Sequence, residues 1–332
     1  MKIHLAVLVS LIAVLFSAAL RASDDIVEFP LSTEGHRPQA LTVGPDGNLW
    51  VTEVLKHKIL KLTPKGEFTE FAVPAKEAGV LQGIAAGSDG NLYFSSRDEN
   101  MIRRMTPTGE FNGAFKLPTA ACWPREITAG PDKNLWFTEM AGNKIARITT
   151  KGEITEFPIP TAACKPYCIV AGPDGNLWFT EWDKPNIGQI TPEGKITEFP
   201  VKNGGRELAF GADGNIWFTA DKVNAIGRLS MKGEATEYPL PSANAQPLGI
   251  TSGTDGNVYF CEFKLGKIAR ITPDGKITEI ALPTPNSQPF CIGTGPDGNI
   301  WVAQQANRVA RLTLASAAKA VAGKPEKSKD AK

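Results

Sequence analysis

The chain predicts an all-β fold, a seven-bladed β-propeller of four-stranded antiparallel blades, on three observations. A phrase of the form G-P-D-G-N-L-W recurs seven times, at Gly44–Trp50, Gly87–Tyr93, Gly130–Trp136, Gly172–Trp178, Gly211–Trp217, Gly253–Tyr259 and Gly295–Trp301. The glycines that open these phrases are spaced 43, 43, 42, 39, 42 and 42 residues apart. A second phrase, the turn T-P-x-G followed by an outer-strand run, recurs only six times, at Gly66, Gly109, Gly152, Gly194, Gly233 and Gly275. The missing seventh outer strand is found at the other end of the chain. There Asp25–Leu31 (D-I-V-E-F-P-L) copies the run at Ile154–Ile159 (I-T-E-F-P-I). The N-terminal strand is therefore expected to complete the last blade, closing the ring and removing an exposed sheet edge.

One repeat shows how the elements follow. In the fourth, Cys168–Ala171 is a short apolar run suited to an inner strand. Gly172–Asn176 turns the chain, with Pro173 presetting φ and Gly175 and Asn176 tolerating positive φ. Leu177–Glu181, Ile187–Thr191 and Lys195–Pro200 supply the second, third and outer strands, with Pro192-Glu193-Gly194 as the last turn. The Asp of each D-G-N turn reads as an Asx-type closure, because the longer run of oxygen ligands in a calcium loop is absent. The recurrent Trp, replaced by Tyr93 and Tyr259, reads as a ring packed between blades.

The flanks set the boundaries. Lys2, the apolar stretch Leu5–Phe16 and the small residues Ser17–Ala19 and Ala22 read as an export signal over residues 1–22, and the stretch is short for a membrane span. The propeller occupies 25–314, and the Ala/Lys-rich stretch 315–332 reads as a disordered tail. A periplasmic or secreted protein is expected, with no transmembrane segment once the signal is removed. Net charge of +1 argues against nucleic acid as a partner. A monomer binding a small molecule or peptide at its channel mouth is the expected form. Five cysteines, Cys122, Cys164, Cys168, Cys261 and Cys291, predict one or two disulfides with a thiol left over, since the count is odd. With no C-x-x-C and no His beside them, they do not describe a zinc site.

In an up-and-down blade, the loops entering the inner strand and leaving the second strand share one face, and the D-G-N and T-P-x-G turns share the other. Two rings should therefore surround one mouth of the central channel, where ligands bind by default. The first ring is Gln39, Gln82, Arg125, Tyr167, Arg206, Leu248 and Phe290; the second is Glu53, Ser96, Glu139, Glu181, Ala220, Glu262 and Gln304. Repeats three to five make one side charged and aromatic, and repeats six and seven make the other apolar. The ligand-binding candidates are Arg125, Glu126, Tyr167, Trp182, Arg206, Glu207 and Phe290. The catalytic candidates are Glu139, Glu181 and Arg125, and the two glutamates are also the metal candidates. A purely structural reading stands beside these, with the arginines neutralising a ring of glutamates.

The phrases G-P-D-G-N-L-W-F-T-E at Gly172–Glu181, K-I-A-R-I-T at Lys144–Thr149 and I-T-E-F-P-I-P at Ile154–Pro160 resemble those of the virginiamycin B (streptogramin B) lyase family, over nearly the whole mature chain. The resemblance implies an NHL-like seven-bladed propeller. It also implies a carbon–oxygen lyase that opens a cyclic depsipeptide at its ester by elimination, using Mg²⁺ and a histidine base. The phrases that should carry the histidines read Gln246-Pro247-Leu248-Gly249-Ile250 and Gln288-Pro289-Phe290-Cys291-Ile292, so Leu248 and Phe290 stand where histidines are expected. The implied acidic metal ligands fall on Gln288 and Gln304, which hold Mg²⁺ poorly. The chain's histidines are His4, His36 and His57. A base with pKa near working pH is needed to take the proton, and Leu248 and Phe290 cannot supply it. The expectation is a binding propeller; a divergent lyase or lactone hydrolase with a relocated acidic site is the alternative.

Overall fold

The computed structural model describes residues 26–31, 35, 37–74 and 79–314. The expected signal, the C-terminal tail, His4 and His36 lie outside the described residues. Seven four-stranded antiparallel sheets form the body, each of the first six running from inner to outer strand in chain order. Blade 4 consists of Pro166–Ala171, Leu177–Glu181, Asn186–Ile190 and Ile196–Pro200, within two residues of the expected bounds. Blade 5 departs from the pattern. The linker before its ring residue is three residues shorter than that of blade 4, and its inner strand shrinks to Leu208–Phe210.

The ring closes as expected. The strand Ile26–Pro30 pairs antiparallel with Arg308–Leu312, from Ile26 opposite Leu312 to Pro30 opposite Arg308. It reproduces the bonds of an ordinary outer strand. Glu28 accepts from Arg308 Nη1 at 3.1 Å and from Thr284 Oγ1 at 2.6 Å, as Glu156 accepts from Thr119 Oγ1 at 2.7 Å in blade 3. Phe29 stacks on Trp301 with ring centroids 5.5 Å apart.

At the turn face every blade repeats one arrangement. Asp132 Oδ1 accepts from Asn134 N at 3.2 Å and from Trp136 Nε1 at 3.0 Å, and its Oδ2 accepts from Asn134 Nδ2 at 2.7 Å. Tyr93 makes the equivalent bond to Asp89 through its hydroxyl, at 2.9 Å. Burial alone would raise Asp46, but donors on Lys61, Trp50 and Asn48 hold it down at about 2. The Trp and Tyr rings are fully buried between blades. In blades 1, 2, 3, 5 and 7 a cation on the third strand lies over the ring and ties the blade to the next. Arg147 covers Trp136 and donates to Pro192 O at 3.0 Å, and Arg311 donates across the closure to Pro64 O at 2.8 Å. Blade 4 has Gln189 in this place, which donates to Asp174 of its own blade at 2.8 Å.

The expected disulfides are not formed: all five cysteines are free thiols. For Cys122 and Cys164 the physical reason is the one-blade spacing. Cys122 is buried between blades 2 and 3, and Cys164 between blades 3 and 4. Cys168 packs between blades 4 and 5, and Cys261 between blades 6 and 7. No helix among the described residues is long and apolar enough to cross a membrane.

Candidate functional site

The first ring is positioned by a recurring loop. Residues 118–124, 160–166, 241–247 and 283–289 share a P-[ST]-x-x-x-x-P form, with left-handed backbone at positions four and six. Ala121 (φ 50°) and Trp123 (φ 55°) occupy these positions before Arg125. Each non-glycine residue in this region costs about 1 kcal/mol, so the loop holds its shape only because the strands on either side fix it. The proline at its end starts the inner strand, and the ring residue follows.

Around this end the polar groups engage one another. Gln39 Nε2 donates to Gln82 Oε1 at 3.2 Å, and Arg125 donates to both Gln82 Oε1 and the Tyr167 hydroxyl. Arg125 lies over the Tyr167 ring, with Cζ 3.5 Å from its centroid. Arg206 reaches over Tyr167, Trp182 and Phe290, at 4.8, 5.5 and 5.7 Å. Asp221 anchors this group, accepting from Arg206 at 3.2 Å and from Trp182 Nε1 at 3.2 Å. The structure thus brings Arg125, Tyr167, Trp182, Arg206 and Phe290 into one stack. Sequence reasoning missed Asp221; its signal is its place as first residue of the loop leaving the second strand of blade 5.

Below the stack the channel holds a cavity of about 360 Å³ that runs along the inner strands from Gln39, Gln82 and Arg125 to Thr42 and Ala129. Glu126, Glu207 and Phe290 line it, with Cys168 and Cys291; Tyr167, Trp182 and Arg206 do not. Each of the two cysteines directly follows a first-ring residue, and counting one position further along each inner strand would have found them. Glu126 and Glu207 share the space. Burial, then the charge of Glu207, pushes Glu126 up to about 8. Glu207 is also raised, by burial, with Arg125 acting in the opposite sense. The Arg125 Nη2 to Glu207 Oε1 separation is 3.9 Å.

The second ring does not reach this cavity. Glu53, Glu139, Glu181 and Glu262 are 0% exposed and sit behind the inner strands, under the incoming loops. Both carboxyl oxygens of Glu139 and Glu262, and one of Glu181, lack a hydrogen-bond partner. Burial, then the charge of Glu156, pushes Glu139 up to about 8. Burial raises Glu181 to about 7, with Asn186 acting in the opposite sense and Glu198 in the same one. Burial, then Glu279, raises Glu262 to about 7. In blade 3 the loop N–H groups of Ala141 and Gly142 donate to Cys122 O, at 2.9 and 3.1 Å, and leave the glutamate without donors. Glu53 in blade 1 accepts instead from the backbone N–H of Arg37 at 2.5 Å, Leu55 at 3.1 Å and Lys56.

Leu248 is 2% exposed in the core between blades 6 and 7, and Phe290 meets Phe263 edge-on at 6.2 Å. The donors do not suit Mg²⁺. Gln304 is buried and donates to Glu28 Oε1 at 3.3 Å, and the Gln288 carbonyl accepts from Gln305 N at 3.0 Å. Among the described residues no three His, Cys, Asp or Glu side chains converge to hold a metal. His57, in left-handed backbone at φ 53°, lies outside the cavity lining.

The profile of the Virginiamycin B lyase family matches residues 18–207 and 187–328. The crystal structure of virginiamycin B lyase from Staphylococcus aureus superposes with a TM-score of 0.82 at 34% identity, over 87% of this chain and 99% of that one. A catalytically inactive variant of the same enzyme with quinupristin gives the same TM-score, identity and coverage. The WD40 propeller domain of Doa1, at 13% identity and a TM-score of 0.71 over 88% of this chain and 98% of that one, shares the fold alone. No match is found among curated protein sequences. By the family profile and by these structures, the chain belongs to the virginiamycin B lyase family.

Proposed function

We propose that this chain is an exported ligand-binding member of its family that takes a small amphipathic ligand in the axial channel and does not open esters by the histidine route. The observation that carries the reading is the pairing of a cavity of ligand size with the absence of a proton acceptor at Leu248 and Phe290. Arg125, Glu126, Glu207 and Phe290 line that cavity and supply charge, polarity and an apolar ring within one space. The stack of Tyr167, Trp182 and Arg206 above it holds Arg125 in place. Export rests on Lys2 and the apolar stretch Leu5–Phe16, and amino-terminal sequencing of the mature protein tests it.

A second reading keeps an enzyme, a divergent C–O lyase or lactone hydrolase. It is favoured at one place, the Glu126 carboxyl, which sits near neutral pKa inside the cavity. Glu139 and Glu181 support it less, because a substrate has no route to a fully buried carboxyl behind the inner strands. A thermal-shift screen with cyclic peptides and small amphipathic molecules tests the binding reading. A true ligand raises apparent stability, and Arg125→Ala should change the shift, weakening it for an anion and strengthening it for a cation. A ligand whose shift is the same in Arg125→Ala would place binding elsewhere.

A further inference from the structure

We infer that the cavity takes an organic monocation, a primary alkylammonium whose head sits between Glu126 and Glu207 and whose apolar body lies along Ile84, Ile127, Ile250 and Ile292. The inference rests on the axial-channel reading above and names the class of ligand.

The charges in the cavity wall carry it. Two carboxyl groups and one guanidinium line the space. Arg125 is 9% exposed, so it has little freedom to move, and its Nη atoms are committed to Gln82 and Tyr167. Its Nε has no partner at all. Its ion pair with Glu207 is a long one, at 3.9 Å. When both carboxyls ionise, the wall therefore carries one negative charge in excess. Two carboxyls in one low-dielectric space cannot both ionise cheaply, so the empty cavity keeps a proton. A cation of the right size can take that proton's place.

The chemistry of the surroundings selects the kind of cation. A metal ion requires several converging hard donors, and no such group of three exists among the described residues. An anion would face two carboxyls. Isoleucines from blades 2, 3, 6 and 7 line the same cavity, which suits an alkyl body behind an ammonium head. The other charged or titratable groups acting on the pair are Arg206, Asp221, Tyr167, Cys168, Cys261 and Cys291. Burial holds those three thiols well above the usual thiol range, so they remain neutral and do not compete for the cation.

Binding is then coupled to release of a proton. Calorimetric titration of the mature protein with alkylammonium chlorides, ethyl to hexyl, in buffers of different ionisation heat reads both affinity and proton release. Affinity should rise about tenfold per pH unit between about pH 6 and about pH 8, with close to one proton released per ligand. Glu126→Gln and Glu207→Gln keep shape and remove charge. Each should lower affinity at the upper pH by about tenfold or more and abolish proton release, with unchanged circular dichroism confirming the fold. Amine binding that ignores pH, survives both substitutions, or is matched by the corresponding alcohols or carboxylates overturns the inference. If other ligands shift the melting curve through Arg125 while no amine binds, the cation class falls and the channel reading stands. If nothing binds, both fall.

Discussion

The two ends of the propeller are built on opposite terms. At the turn end one group of Asp, Asn and a buried Trp or Tyr recurs in all seven blades with equivalent bonds, and an Arg or Lys ties five of the blades to the next. At the other end the same positions carry different residues. Glu53 is fully bonded, Glu139 and Glu262 have no donors, and the first ring changes from Gln to Arg, Tyr, Leu and Phe. Repetition marks the face that holds the ring together. Loss of repetition marks the face and channel where a site can be built.

The largest effect on stability is expected at the closure. Removing Ile26–Pro30 takes away the outer strand of blade 7, with Glu28 and Phe29, and frees a sheet edge. The loss should be several kcal/mol, a fall in melting temperature of about 10 °C or more by calorimetry. An unchanged melting temperature would mean that the N-terminal strand does not hold the ring. Next in size, Asp132→Ala leaves the buried Trp136 indole without an acceptor. It should cost about 1–3 kcal/mol in chemical denaturation, and the same change in any other D-G-N turn should cost a similar amount.

The two kinds of buried glutamate should then respond with opposite signs. The folded pKa values of Glu139, Glu181 and Glu262 are raised from an ordinary 4.5 to about 8, 7 and 7. Their protonated forms favour the folded state, so this stability is present in full below an ordinary glutamate pKa and is lost as pH rises through about 7 to 8. Thermal unfolding should show a falling melting temperature across that window. Glu139→Gln should raise the melting temperature at the alkaline end and change little at the acid end. Glu53→Gln should lower it, because that carboxyl accepts three backbone N–H groups. Equal effects at the two sites would erase the distinction. The smallest effect is expected for Gln189→Arg, which installs the missing tie from blade 4 to blade 5 and should add about 0.5–1.5 kcal/mol, the net value of one hydrogen bond.

The architecture could be read in the sequence because one phrase recurs at a blade's spacing and the unmatched outer strand lies at the other terminus. Strand limits in blade 4 shifted by one or two residues, where a turn residue also pairs. The short inner strand of blade 5 had its signal in the 39-residue step. The site was legible in part. The identity of the ring residues followed from counting, but their directions did not. Glu139 alternates in phase with Leu135 and Phe137; both faces of that strand are buried against the neighbouring blades, and the inner strand stands between it and the channel. Hence no choice of alternation could have aimed Glu139 at a ligand. Cys122 and Cys164 remain unpaired for a related reason: they occupy equivalent loop positions in neighbouring repeats, yet each faces its own inter-blade space.

We propose that the channel binds a ligand with no proton acceptor at Leu248 or Phe290. Incubation of the purified protein with a streptogramin B antibiotic and Mg²⁺, followed by mass spectrometry and chromatography, tests it most directly. The account predicts that the cyclic antibiotic is recovered unopened. Accumulation of the linear, ring-opened product at a rate proportional to protein would contradict it.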